Sequence, residues 1–169
     1  MATYEEIDEI NASLQEDEDT QKDKYLTFRI ADEDYAIEIR YVNEIIGIQK
    51  ATSVPMLKSY IKGIINLRGI IVPVIEVRNR FRMESIEYNE RTCIVVITVG
   101  NVSVGLIVDE VEEVMNIPEG AISPPPQTNK GSHSRYIQGI GRVGEVVKII
   151  LDIQKLLYDE HEMKKENAE

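Results

Sequence analysis

The sequence is poor in cysteine, histidine and aromatic residues. It has one cysteine, two histidines and no tryptophan, and aromatic residues make up 6% of its 169 residues. A single cysteine, Cys93, excludes an internal disulfide and is typical of a cytoplasmic protein. No apolar run approaches the roughly 20 residues that a membrane-spanning helix needs. The acidic start MATYEEIDEI also lacks the regions of a signal peptide, so we expect no membrane insertion.

Basic residues are scarce relative to acidic ones, and the imbalance lies at the two ends of the chain. The net charge at pH 7 is −11. Residues 1–24 hold nine acids and two lysines, residues 159–169 hold five acids and two lysines, and residues 25–158 keep a net charge of −1. A nearly neutral body has no basic face to neutralise phosphates, so we predict no nucleic acid partner.

Recognisable catalytic and metal-binding motifs are missing. His133 and His161 fall in a polar loop and in the acidic tail, and neither has a cysteine or serine nearby at a catalytic spacing. Metal ligation would need a cluster of ligands, which these spacings do not provide. Cys93 opens the apolar run CIVVITV, where a small buried residue is far more common than a nucleophile. We therefore predict no enzymatic activity, no metal and no cofactor.

One glycine motif matches the dinucleotide-binding fingerprint. Residues 139–144 read GIGRVG, and Asp159 follows at about the distance that the fingerprint requires. The fingerprint needs a helix after the glycines, so that the N-terminal amides of this helix face the pyrophosphate. The residues that follow, VVKIILDI, have the pattern of a strand, so we assign the glycines to a hairpin.

Apolar residues are abundant and occur in short runs. Hydrophobic residues make up 43% of the chain, and most runs alternate with polar residues or are continuous between turn residues. This pattern predicts an all-β body. The predicted strands are 25–30, 35–40, 43–48, 64–68, 70–77, 93–99, 102–108, 111–117, 137–143 and 146–152.

The N-terminal segment, residues 1–24, has a different pattern. Ile7, Ile10 and Leu14 recur at helical spacing, which is compatible with a weak helix. The density of charge favours a flexible acidic tail over this helix.

The C-terminal segment has a helix signal that the body lacks. Asp152 suits the N-cap position, and the apolar residues that follow it share one helical face. We predict a short helix over about 153–160 and an acidic tail over 159–169.

The strand pattern of the body occurs twice in the sequence. A shift of 69 residues places YLTFRIADEDYAIEIRYVNEIIGI on IVVITVGNVSVGLIVDEVEEVMNI without a gap, and a shift of 76 places YIKGIINLRGIIVPVIEVRNRF on YIQGIGRVGEVVKIILDIQKLL. The aligned pairs include Ile39 with Val108, Val42 with Val111, Glu44 with Glu113, and Ile45 with Val114. Two consecutive windows in the same order indicate an internal duplication.

The duplication predicts a pair of small barrels. Each copy supplies about five short strands, which suffice to close a small barrel, and closure removes exposed edges. We place the first barrel at about 25–85 and the second at about 88–152. Two barrels in one chain must pack on each other, so we expect a groove at their junction.

Arg68 is the one residue that the fold pattern does not explain. It lies at the tip of the apolar hairpin YIKGIINLRGIIVPVIEV, and its counterpart in the second copy is Gly144. A solvated arginine at a hairpin tip and a partner contact both fit, since arginine is enriched in binding hot spots. The apolar residues Ile39, Val42 and Ile45 are core candidates, because apolar periodicity usually marks burial.

These segments resemble the CheW family of bacterial chemotaxis coupling proteins. The matching segments are YLTFRIADEDYAIEIRYVNEI, SYIKGIINLRGIIVPVIEVRNRF, VGLIVDEVEEV, ISPPP and YIQGIG with IILDIQKLL, and they follow the family's order over residues 25–158. The same CheW-like domain forms the regulatory domain of the histidine kinase CheA. The chain ends soon after this domain, so we expect a stand-alone adaptor without a kinase core or a receiver domain.

The resemblance implies a fold, a function and two partners. The fold is two intertwined SH3-like five-stranded barrels, here with a short C-terminal helix, and the family has no catalytic activity. Its members bridge the cytoplasmic tip of methyl-accepting chemoreceptors to the regulatory domain of CheA, and they help to build the receptor array. We therefore expect a cytoplasmic protein that is recruited to membrane-anchored arrays.

The resemblance also implies two sets of contact residues. A receptor helix would enter the groove between the barrels, and the kinase would bind at one end of the first barrel. The receptor-binding residues implied in this way are Ile39, Val42, Glu44, Ile45, Arg68 and Val114. The kinase-binding residues are Val54 and Lys62.

Two other classes of function stay open on the residues alone. One is a double barrel that binds a small ligand or an oligonucleotide, and the scarce aromatics and the neutral body disfavour the oligonucleotide. The other is an enzyme that uses the groove, which the lack of a nucleophile–base pair disfavours.

Overall fold

The structure is a computed structural model that describes residues 2–14, 21–55, 58, 60–125 and 134–158. Its helices are α1 (Tyr4–Ser13), α2 (Val77–Arg80) and α3 (Ile153–Leu157). Its strands are β1 (Lys24–Ile30), β2 (Glu33–Glu38), β3 (Val42–Gly47), β4 (Ile61–Leu67), β5 (Ile70–Glu76), β6 (Cys93–Val99), β7 (Val102–Val108), β8 (Glu110–Asn116), β9 (Ile122–Ser123), β10 (Ile137–Val143) and β11 (Val146–Leu151). All ten predicted strands are confirmed within three residues, and β9 is an addition.

The strands form two sheets with the same order of equivalent strands. The six-stranded sheet runs β8-β1-β2-β11-β10-β9, and the five-stranded sheet runs β3-β6-β7-β5-β4. In each sheet one pair is parallel, β11 with β2 and β5 with β7, and the other neighbours are antiparallel. The matching orders confirm the duplication at the level of structure.

Each sheet draws its strands from both copies of the repeat. The hairpin β1–β2 of the first copy pairs with strands of the second copy, and the hairpin β6–β7 of the second copy pairs with strands of the first. The chain changes sheets at the short turn Ile39–Tyr41 after β2, and it does so again after β7. The predicted intertwined, all-β fold is therefore present, but the ranges 25–85 and 88–152 do not each make one sheet. Apolar periodicity identifies a strand without identifying its partner, which explains the difference.

The buried apolar residues form one large cluster between the sheets and one small cluster inside each sheet. The large cluster includes Phe28, Tyr35 and Leu106, all fully buried. The five-stranded sheet encloses a second cluster that includes Val72, and the six-stranded sheet encloses a third that includes Ile150. Because the large cluster takes side chains from both copies, the two sheets share one core.

Two equivalent glycines allow a strand to approach each hairpin closely. A Cβ atom on Gly63 would lie 2.4 Å from the carbonyl oxygen of Thr52, and a Cβ on Gly139 would lie 2.9 Å from that of Ser123. Thr52 pairs with Ile64 in the backbone, as Ser123 of β9 pairs with β10. Real Cβ atoms essentially never approach an atom so closely, so both copies need glycine at this position. This need explains why YI-x-GI survives in both.

The hairpin over GIGRVG has the structure predicted for it. Strand β10 ends at Val143, Gly144 adopts a φ of 62°, and strand β11 follows at Val146. No helix follows the glycines in this part of the described chain, so its backbone amides are not arranged to bind a pyrophosphate.

The helix α3 begins at the predicted N-cap. The side chain of Asp152 accepts a hydrogen bond from the Lys155 amide at 3.1 Å, and Ile153 and Leu156 are buried. The guanidinium of Arg80 lies 3.8 Å from the ring centroid of Tyr60, and its Nε donates to the Leu156 carbonyl at 3.0 Å. These contacts fix α3 to the body. Residues 159–169, with the predicted acidic tail and His161, lie outside the described residues, as does His133.

The helix α1 forms where the density of charge favoured a flexible tail. Thr3 and Glu6 make a capping box, in which the Thr3 hydroxyl accepts from the Glu6 amide and the Glu6 carboxylate accepts from the Thr3 amide. Ile10 is buried, and Ile7 packs against the large core cluster. The caps and the apolar face together explain a helix that composition alone does not favour. Within the described ranges, no helix has the length and apolar character of a membrane-spanning segment.

Candidate interaction site between the two sheets

The tip of the β4–β5 hairpin holds Arg68 in an unusual backbone conformation. Arg68 has a φ of 50° and Gly69 a φ of 85°, which fits the tight two-residue turns that need positive φ at both positions. Such turns favour asparagine and glycine, and an L-residue in the left-handed region costs roughly 1–2 kcal/mol. The equivalent position in the second copy is Gly144, which also has a positive φ and, as a glycine, carries no such cost. The hairpin therefore forms despite the arginine.

Arg68 pairs with Glu44, the other charged residue in the implied receptor set. Both guanidinium Nη atoms contact the two carboxylate oxygens of Glu44, with Nη1 3.3 Å from Oε2. The Arg68 side chain is 71% exposed, whereas that of Glu44 is 23% exposed. The Glu44 hydrogen bond and charge raise the pKa of Arg68 above its ordinary value. The pair joins strand β3 to the β4–β5 tip and leaves guanidinium surface open to a partner.

The implied apolar contact residues lie deeper than a groove lining requires. Ile39, Val42 and Ile45 are each at most 4% exposed and belong to the large core cluster. This burial confirms their interpretation as core residues. Val114 on β8 is partly buried and packs against the same cluster. A partner can meet the side chain of Ile45 only after the surrounding surface has changed, whereas Val114 already lines an open groove.

The edge strands β3 and β8 form the surface that we call the seam. Each strand is the outermost member of its sheet, and the two are equivalent in the duplication. Helix α1 contacts both, so it bridges the two sheets there. Val114 lies at the β8 side of the seam and Ile45 at the β3 side. The seam thus contains four residues of the implied receptor set, namely Val42, Glu44 and Ile45 on β3 and Val114 on β8.

The implied kinase contacts lie away from the seam, on β4 of the five-stranded sheet and in the segment that precedes it. Lys62 on β4 has a half-exposed side chain, and its Nζ is 3.8 Å from Oε2 of the buried Glu76. The same Nζ lies 5.6 Å from the ring centroid of Tyr88. Val54 is half-buried in the segment that follows the Thr52 bridge. Lys62 is therefore held in place by the sheet, and its charge is partly matched by Glu76.

A neutral hydrogen-bonded group lies at one end of the five-stranded sheet. Asn43 donates to the Thr98 hydroxyl, and the Thr98 and Ser103 hydroxyls are 2.9 Å apart. We call these three residues the neutral end. Asn43 and Ser103 line a cavity of about 440 Å³ that Arg68 and Val72 also line. The open space and the arginine therefore lie at the same end of this sheet.

An ionic group occupies the equivalent end of the six-stranded sheet. The Lys148 ammonium lies 2.7 Å from Glu112 and 3.4 Å from Asp34, and Arg29 lies 3.2 Å from Asp34. We call these four residues the ionic end. Partial burial raises the pKa of Asp34, but the Glu112 carboxyl, Lys148 and Arg29 outweigh burial and hold this pKa below its ordinary value of 3.8. Sequence reasoning missed this group, and its signal was the lysine within the apolar run VVKIIL.

The described residues offer little for nucleophilic or metal chemistry. Cys93 is buried, as predicted, and burial raises the pKa of its thiol, which disfavours the reactive thiolate. Within residues 2–14, 21–55, 58, 60–125 and 134–158, no group of three or more His, Cys, Asp and Glu side chains is arranged to hold a metal ion.

A family model and curated relatives indicate the same family for this chain. The family model of the CheW-like domain matches residues 24–161. The chemotaxis protein CheW of Klebsiella aerogenes is 36% identical over 142 residues, which cover 84% of this chain and 86% of that protein. The chemotaxis protein CheW of Treponema pallidum is 33% identical over 135 residues, with 78% of this chain and 79% of that protein covered.

A solved structure has a similar fold. The crystal structure of the scaffolding protein CheW from Thermoanaerobacter tengcongensis is similar with a TM-score of 0.73 and 33% sequence identity. The similarity covers 79% of this chain and 91% of that one. The two-sheet architecture described above is thus shared with a protein described as a scaffold.

Proposed function

The chain belongs to the CheW-like domain family, and on that premise we propose that this chemotaxis scaffold protein couples the cytoplasmic tip of a methyl-accepting chemoreceptor to the regulatory domain of the histidine kinase CheA. It acts by binding both partners, and it carries out no reaction. It works in the cytoplasm, at arrays of membrane-anchored receptors.

The observation that carries the receptor part of this proposal is the conformation of Arg68. An arginine occupies a left-handed turn position at which the equivalent residue is Gly144. Folding alone favours glycine there, since glycine carries no Cβ penalty. Strained positions of this kind cluster at functional sites. Arg68 is also largely exposed and already oriented by Glu44, so it can form a hydrogen-bonded ion pair with a partner carboxylate.

The neighbouring surface suits a helix from the receptor. The seam presents two edge strands with apolar residues between them, and Arg68 and Glu44 provide charged groups at one side. An amphipathic helix binds such a surface with its apolar face, while charges at the rim set its register and orientation. In this proposal Ile45 and Val114 contact the receptor, and the buried Ile39 and Val42 support them.

The kinase part of the proposal uses a separate surface. Val54 and Lys62 lie on the segment after the Thr52 bridge and on β4, both in the five-stranded sheet region. A partner bound there leaves the seam free, so receptor and kinase can bind at the same time. Simultaneous binding is the property that a coupling protein requires.

The first prediction tests Arg68 by its replacement with alanine. Arg68→Ala should lower the affinity for a receptor cytoplasmic-tip fragment about tenfold, because it removes an oriented, exposed ion-pair donor. It should also lower receptor-dependent activation of CheA. Calorimetric titration and a kinase autophosphorylation assay measure the two effects, and thermal unfolding checks the fold.

The matched control is Arg142→Ala, an exposed arginine near the tip of the equivalent hairpin β10–β11. It should change neither binding nor activation. Receptor affinity equal to wild type in a folded Arg68→Ala protein would exclude the assigned role of Arg68. Absence of a complex between the wild-type chain and the CheA regulatory domain in size exclusion, at tens of micromolar, would contradict the coupling function itself.

A further inference from the structure

The helix α1 already occupies the seam. Ala2 and Ile10 are buried in the large core cluster, and Ile7 and Leu14 pack against it. The Ala2 amide donates to the Val111 carbonyl of β8 at 3.1 Å. The seam is therefore covered by an amphipathic helix of the chain itself.

Asn11 attaches α1 to the open edge of β3. Its Nδ2 donates to the Ile45 carbonyl at 3.1 Å, and its Oδ1 accepts from the Ile45 amide at 2.8 Å. The carboxamide thus takes the place of a neighbouring strand for one residue of an edge strand. Ile45 belongs to the implied receptor set, so its outward backbone groups are occupied by α1.

The fit between α1 and the seam is incomplete. A groove of about 520 Å³ lies on the β8 side of the helix, and one of about 570 Å³ lies on the β3 side. Protein interiors are close-packed, so a helix with open grooves on both flanks gains less from contact than a fully packed one. The helix is also only 10 residues long, a length at which an isolated helix is marginal in water.

The charges at the β8 side weaken the fit further. Glu6 and Glu9 of α1 line the same groove as Glu112 and Glu113 of β8. Lys148 pairs with Glu112, but the groove as a whole brings carboxylates from both elements together. Like charges repel, so a helix with cationic residues at these positions would bind the seam better than α1 does.

From these contacts we propose that α1 is a removable intramolecular ligand of the seam, which the receptor helix displaces when it binds. This inference rests on the proposed receptor function. The displacing helix has apolar residues at spacings of three and four, an amide side chain able to bridge the Ile45 backbone, and cationic residues toward Glu113. While α1 is docked, only a fraction of the protein molecules can bind the receptor, and the apparent affinity for the receptor is reduced by that fraction.

The test compares three variants with the full chain in titrations with a receptor cytoplasmic-tip fragment. Deletion of residues 1–14 and Ile10→Ser, which removes a buried anchor, should each raise the affinity about tenfold. Ala12→Ser is the matched control, because it introduces the same side chain at an exposed position of α1 and should leave the affinity unchanged. In the full chain, the α1 amides should exchange hydrogen faster when the fragment is bound.

The outcomes separate this inference from the proposed function. Equal affinities of the deletion variant and the full chain, or α1 amides that stay protected in the complex, would overturn the inference and leave the receptor function intact. Weaker binding after deletion would also overturn it, since α1 would then be part of the receptor surface. Lack of binding by the full chain and by both destabilised variants would overturn the receptor function and the inference together.

Discussion

The neutral end and the ionic end occupy equivalent places in the duplicated fold. Under the shift of 69 residues, Asn43 corresponds to Glu112, Thr98 to Arg29 and Ser103 to Asp34, and under the shift of 76 Val72 corresponds to Lys148. Three neutral polar side chains and a valine thus stand in one sheet where four charged side chains stand in the other. The backbone positions are the same, so the fold tolerates either chemistry at this place.

The comparison also shows which end keeps open space at its surface. At the neutral end a cavity of about 440 Å³ remains beside Val72, with Arg68 and Glu44 at its border. At the ionic end Lys148, at 6% side-chain exposure, is in contact with Glu112 and Asp34. Ion pairs satisfy the charges of one end within the molecule, whereas the other end keeps its charged pair at the surface. The duplication therefore produced one end that serves stability and one that we assign to partner binding.

The largest effect should come from removing the central cation of the ionic end. Lys148→Met should lower the free energy of unfolding by about 2–3 kcal/mol, because Glu112 and Asp34 then lose their buried partner. This is below the full cost of breaking a buried pair, since both carboxylates are partly exposed. Urea unfolding measures the difference.

The control for this change lies at the equivalent residue of the other end. Val72→Met introduces the same side chain beside an open cavity and should cost about 1 kcal/mol or less. Equal costs at the two positions would contradict the view that the ions at Lys148 contribute to stability.

A smaller effect should appear in the dependence of stability on pH in the acidic range. The folded pKa of Asp34 lies below its ordinary value of 3.8, so Asp34 contributes stability above the unfolded pKa and loses this contribution as pH falls through the folded value. Lys148→Met weakens the cause of this shift. The decrease in melting temperature between pH 5 and pH 3 should therefore be smaller in the variant than in the wild type.

Thermal unfolding at closely spaced pH values follows this effect directly. Val72→Met should keep the acid dependence of the wild type, because the neutral end has no titrating group among Asn43, Thr98 and Ser103. An identical dependence of melting temperature on pH for wild type and Lys148→Met would refute the role of the ionic end in this dependence.

The smallest effect concerns the two hairpin tips. Gly144→Arg places an arginine at the position equivalent to Arg68 and should cost about 1 kcal/mol, because the residue must hold a left-handed φ. Glu145→Arg is the control, since Glu145 is exposed and does not have a positive φ. Chemical unfolding of the two variants gives the comparison, and equal stabilities would mean that an arginine with left-handed φ at position 144 carries no measurable strain.

Local patterns predicted the strands well but not their partners. Alternation in segments such as LTFRI and continuous runs such as CIVVITV identified strands within a few residues of their observed ends. The exchange of β1–β2 and β6–β7 between sheets has no local signal, since each hairpin pairs with residues far away in the chain. The duplication was visible in the sequence in part because Gly63 and Gly139 are each required by a neighbouring backbone that leaves no room for a Cβ atom.

The candidate site was predicted in part, for similar reasons. Arg68 stood out because its counterpart is glycine, and the structure added the left-handed φ and the contact with Glu44. The ionic end was missed because Arg29 and Asp34 resemble solvated strand residues, and because the lysine within VVKIIL has no visible partner until strand pairing brings the three together. The position of α1 was missed because charge density dominates residues 1–24, while burial at Ile10 depends on a surface formed elsewhere.

The exchange of hairpins has a consequence for how such a chain can be divided. A fragment that stops before Cys93 contains β1–β2 but none of β8, β10 and β11, which complete their sheet. Its β1–β2 hairpin would expose apolar side chains on both faces, since Leu26, Phe28 and Ala36 are fully buried in the intact molecule. One copy of the repeat could complete its fold only in a domain-swapped dimer, in which two molecules exchange this hairpin. The intact chain corresponds to such a dimer with its two copies joined in one polypeptide.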